Sequence, residues 1–170
     1  MPHASQYEFQ NTFISGLNAI CISATLICAS APGAALAAAD VSSSPPSVAE
    51  RLVTAKKAID NKEWRTAKAE LDAAVRDEPR NADVHNLLGY SYRKAAQPNL
   101  AKAFEHYNTA LKLDPRHKGA HEYIGEAFLM DNKPEMAEKH LSELEKICGN
   151  KTCEEYTDLA KSLALYKAKK

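Results

Sequence analysis

A segment of this chain repeats itself. Val84-His85-Asn86-Leu87-Leu88-Gly89-Tyr90-Ser91-Tyr92 returns 36 positions later as Ala120-His121-Glu122-Tyr123-Ile124-Gly125-Glu126-Ala127-Phe128, with His, Gly and an aromatic in the same order. A period of that length, built from paired helices and closed by Asp114-Pro115, specifies units that are stable only when stacked. The expected fold is an all-α solenoid, and stacked helices of this kind suggest a binding surface.

The 22 basic residues are balanced by 22 acidic ones, so the formal charge is zero and nothing favours a polyanionic partner such as nucleic acid. The balance is uneven along the chain, because positions 9–39 hold no charged residue at all. Within them an apolar run at 13–31, the breaker Pro32-Gly33 and the small residues 35–39 read as a signal peptide over 1–39, cleaved after Ala37 or Ala39. The product is expected in the periplasm or outside the cell. The amino-terminal ten residues depart from that pattern, having Glu8 and no Lys or Arg; if retained, the segment is long enough to serve as an inner-membrane anchor facing the periplasm. Residues 40–46, rich in Ser and Pro, read as a disordered linker, and the folded domain as 47–170.

Ser47-Val48-Ala49-Glu50 is a capping box, behind which Val48, Leu52, Ala55 and Ile59 recur at helical spacing. Trp64, Ala67, Leu71 and Ala74 make a second stripe that Pro79 stops. Further pairs are expected at about 82–95 with 100–113 and 118–130 with 134–148, the last closed by Gly149. The repeats are thus about 47–80, 81–116 and 117–149. A second capping box, Thr152-Cys153-Glu154-Glu155, opens a seventh helix over 152–168, whose polar outer side suits the end of a stack.

This pattern resembles the tetratricopeptide repeat family. The middle unit matches through Leu88, Gly89, Tyr92, Ala103, Tyr107, Ala110 and Pro115, and the third through Ile124, Gly125, Phe128, Ala137, Leu141 and Leu144. The first matches only in its second helix, since Thr54-Ala55 stands where Leu-Gly belongs. The resemblance implies a right-handed superhelix whose first helices line a concave groove for a peptide or partner helix. On this sequence that groove would comprise Leu52, Lys56, Ile59, Asn86, Tyr90, Arg93, Glu122, Glu126, Leu129 and Met130. Tyr90 and Arg93 are types that tend to carry binding energy, and Met130 adapts to varied apolar shapes.

Other chemistry has thinner support. His117 and His121 have the i, i+4 spacing of a helical metal chelate, but no cysteine or carboxylate completes a coordination sphere in sequence. His85 and His121 share one slot of the repeat, as do His106 and His140, which reads as packing. Cys148 and Cys153 flank a four-residue loop and would staple the last helix to the third repeat in an oxidising compartment; free thiols and a redox role are the alternatives. No catalytic constellation or phosphate loop is recognisable, and no cofactor is assigned. The expectation is a non-enzymatic exported bacterial protein, a scaffold or assembly factor of the cell envelope that binds another protein. The alternative is a periplasmic metal or redox accessory protein.

Overall fold

The structure, a computed structural model, describes residues 44–169; the expected leader at 1–39, and residues 40–43 of the linker, lie outside the described residues. Seven helices follow one another among them: α1 Val48–Asp60, α2 Trp64–Asp77, α3 Ala82–Lys94, α4 Leu100–Leu113, α5 Lys118–Met130, α6 Pro134–Cys148 and α7 Glu154–Ala168. None is long and apolar enough to cross a membrane.

The helix starts follow from local chemistry. Ser47 and Glu50 form the reciprocal capping box of α1, while Asn81, Asn99 and His117 cap α3, α4 and α5 through their side chains. Gly149 closes α6 in the left-handed region at φ 71°. The second expected capping box does not form. Cys153 is the N-cap of α7 and supplies no side-chain bond, because Thr152 turns back to Asn150 Oδ1 with both its amide and its hydroxyl, each at 2.8 Å. A local Asn turn thus outcompetes the cap.

α1 packs on α2, α3 on α4 and α5 on α6, and each pair stacks on the next, so residues 44–169 form an α-solenoid. The odd-numbered helices also meet directly, α3 with α5 and α5 with α7, whereas the even-numbered ones make their main contacts with odd-numbered neighbours. The odd helices are therefore the inner layer. Three apolar clusters run along the stack: Val48, Leu71, Val84 and Leu88; then Tyr107 and Ile124; then Leu144, Leu159 and Leu163.

Candidate functional site

The inner layer carries the residues that the repeat pattern assigns to a groove, and it sorts them by accessibility. Lys56 and Met130 are exposed, and Leu52, Ile59, Tyr90 and Glu126 half-buried, while Asn86, Arg93, Glu122 and Leu129 are buried. Arg93 is only 4% exposed. Its Nη2 lies 2.6 Å from Glu126 Oε2, and its Nε donates to the Tyr107 hydroxyl at 3.3 Å. Its guanidinium also lies against the rings of Tyr90 and Tyr123, at 5.3 and 5.6 Å. Arg93 therefore braces the groove floor, and it also lines a depression toward the carboxyl end.

Above that floor Tyr90 and Tyr123 pack with ring centroids 4.8 Å apart, and Trp64 approaches Tyr90 at 6.3 Å. With Lys56, Ile59, Asp60 and Leu87 the two tyrosines line an open depression of about 340 Å³. A second, of about 330 Å³, lies toward the carboxyl end, where Leu129 and Met130 face Leu165 and Tyr166 of α7. Trp64, Leu87 and Tyr123 were not in the set drawn from the family pattern. Tyr123 sits one position after Glu122 and Leu87 one after Asn86, so a broader inner stripe could have included both.

The electrostatics are uneven. Glu122 carries no hydrogen bond or ion pair to any described residue, and burial, then Glu126, Asp158 and Glu155, push its carboxyl up to about 8 against the opposing pull of Arg93. Burial likewise lifts the Tyr123 phenol to about 12 and raises that of Tyr90.

The histidines are engaged elsewhere. His117 accepts the Ala120 amide at Nδ1 and donates from Nε2 to Asp83 at 3.0 Å. His121 faces His140, Nδ1 to Nδ1 at 2.9 Å, and bonds the Pro115 carbonyl at 3.1 Å through Nε2. Every nitrogen of the proposed i, i+4 chelate thus has another partner. Cys148 and Cys153 are joined in a disulfide between the end of α6 and the N-cap of α7. Their sulfurs, with a Glu155 oxygen, form the one close group of three metal-type ligand atoms among the described residues. In the bonded state the sulfurs are not thiolates and cannot serve as such ligands.

Residues 52–115 match the family model described as tetratricopeptide repeat. Among solved structures the TPR2B domain of yeast Sti1, in complex with pHsp70, superposes with a TM-score of 0.64 at 13% identity, covering 72% of this chain and 98% of that one. The first TPR of Spaghetti (RPAP3), bound to the HSP90 peptide SRMEEVD, gives 0.59 at 18% identity, covering 71% and 95%. No curated protein matches the sequence.

Proposed function

We propose that this chain, whose residues 52–115 match the tetratricopeptide repeat model and whose fold is that of tetratricopeptide repeat domains, is an interaction scaffold whose inner layer binds a peptide or helical segment of another protein. The observation that carries this reading is the depression on the inner face where Ile59, Leu87, Tyr90 and Tyr123 present apolar and aromatic surface between Lys56 and Asp60. Aromatic side chains rigidly set among polar neighbours are typical anchors of protein recognition. The two similar domains are described with protein or peptide partners, which supports a partner of the same general kind here.

We further place this scaffold in the cell envelope of a bacterium, as an assembly factor. The uncharged stretch at 9–39 supports export, and the joined Cys148 and Cys153 suit an oxidising compartment. Cell fractionation with amino-terminal sequencing of the recovered protein tests this; a full-length cytoplasmic product would reject it.

The groove assignment is tested by placing a photo-crosslinking residue at Tyr90, and separately at exposed Ala101 on α4, in the native cell. Adducts are expected from the first site and not from the second. Tyr90→Ala should lower binding of the captured partner about tenfold with helical circular dichroism unchanged. Equal adducts from both sites would reject the inner face as the binding surface.

A further inference from the structure

Glu122 and Glu126 stand one turn apart on α5, and the contacts Lys118–Glu155 at 3.7 Å and Ser162–Glu126 at 2.9 Å lay α7, with Glu155 and Asp158, along the same stretch, so four carboxylates gather where α5 meets α7. Two have cations of their own, Arg93 at 2.6 Å from Glu126 and Lys118 at 3.7 Å from Glu155. Glu122 and Asp158 have none among the described residues. Glu122 is the more telling of the two, being 8% exposed and without a hydrogen-bond donor among the described residues. It directly precedes Tyr123 and stands one turn before Glu126, whose partner Arg93 lies against the rings of Tyr90 and Tyr123, so it borders the aromatic depression without lining it.

A carboxyl set this deep with no protein partner is costly, and its oxygens keep access to the groove side, so its presence calls for a reason. Packing supplies none. The equivalent slot holds Leu52 in the first repeat and Asn86 in the second, so a neutral side chain fits the same position. What Glu122 adds is an acceptor already stripped of most of its water, for which a donor cation arriving from outside is the best available partner.

We propose that Glu122, with Asp158 beside it, forms a subsite for a Lys or Arg side chain of the bound peptide, whose aliphatic stem lies along Tyr90 and Tyr123. This rests on the inner face being the binding groove. An acidic segment such as SRMEEVD, bound by one similar domain, would meet like charge here, so selectivity runs toward basic segments.

The test uses full-length protein against a bead-displayed library of end-capped nonapeptides, randomised except for a central Lys, Arg, norleucine or Glu. Binders with central Lys or Arg should be enriched, and replacing that residue by norleucine in a selected peptide should weaken binding about tenfold or more. Glu122→Gln should erase the preference and Asp158→Asn reduce it, each retaining the parent's circular dichroism. Calorimetry at pH 7 in buffers of different ionisation heat gives a readout that a merely structural residue would not move. Salt-bridge formation should release roughly one proton from the parent and none from Glu122→Gln. Groove binders that are indifferent to the central residue, or enriched in Glu, overturn the cation subsite and leave the groove standing. No binders, or binders unaffected by Tyr90→Ala, overturn both.

Discussion

Gly89 and Gly125 occupy one slot of the repeat, yet they clear space for different neighbours. A Cβ on Gly89 would sit 2.6 Å from the ring of Tyr107 in its own hairpin, and one on Gly125 2.6 Å from Leu159 of α7. Tyr107 is fully buried with its hydroxyl held by Arg93, so its ring has nowhere to retreat. Gly89→Ala gains about 1 kcal/mol of helix propensity and incurs about 1–3 kcal/mol of overpacking. A net loss of up to about 2 kcal/mol is expected, read as a lower urea midpoint with unchanged helical signal before unfolding; an equal or higher midpoint would show that the ring yields. The need for small residues here was legible in the sequence, because the period marks the slot. Which helix presses on each was not, since that depends on how far α7 slides across α5. Arg93 illustrates the same boundary. Its type and helical phase point to the inner face, but its burial depends on Glu126 and Tyr107, which lie 33 and 14 positions along the chain.

Each hairpin is closed by a polar latch at one fixed place. In the second repeat His85 meets His106, 21 positions on, and in the third His121 meets His140, 19 on; in the first the same slots hold Arg51 and Glu70, paired at 2.9 Å and also 19 apart. The two extra positions are those inserted in the Gln97-Pro98-Asn99 turn. Both histidine latches also bond the carbonyl of the proline ending the preceding repeat, Pro79 or Pro115, so they tie each hairpin to the loop that leads into it. The sequence shows the recurring histidine slots, but it cannot show that they face each other until the hairpin register is known. With Nε2 of His121 donating to the Pro115 carbonyl, its Nδ1 is the acceptor for Nδ1–H of His140. Burial first, and His121 second, push the His140 imidazole down to about 4 from an ordinary 6.5. The unfolded chain therefore binds more protons than the folded one between those values. The latch contributes its full stability above about pH 6.5 and loses it as pH falls toward 4. Discounted for the partial solvation of His140, the loss is about 1–2 kcal/mol. Transplanting the first-repeat pair as His121→Arg with His140→Glu should flatten the urea midpoint between pH 7 and 5, because both new groups keep their charge there. An unchanged slope would remove the latch from the acid response.

Across the whole stack the two ends are built unequally. The first repeat buries mostly small side chains, Ala55, Ala58, Ala67, Ala73 and Ala74 around Leu71. The other end buries Leu144 of α6 with Leu159 and Leu163 of α7 and is fastened twice more, by the Cys148–Cys153 bond and by Lys167 to Glu138 at 2.6 Å. Larger buried apolar side chains contribute more, roughly 25 cal/mol per Å² removed from water. In a linear stack, where each unit leans only on its neighbours, such differences persist as local stabilities instead of averaging into one. Amide hydrogen exchange of the oxidised protein should therefore show α1 and α2 opening first and α5 to α7 last. Closing a loop of this size by a disulfide is credited with about 2 kcal/mol in the chain-entropy account. Cys148→Ser with Cys153→Ser should accordingly lower protection of α7 and the end of α6 while leaving α1 and α2 unchanged, and under reducing conditions parent and variant should coincide. Uniform loss of protection along all seven helices would mean that the stack unfolds as one cooperative block, and that the staple acts on the whole rather than on its own end.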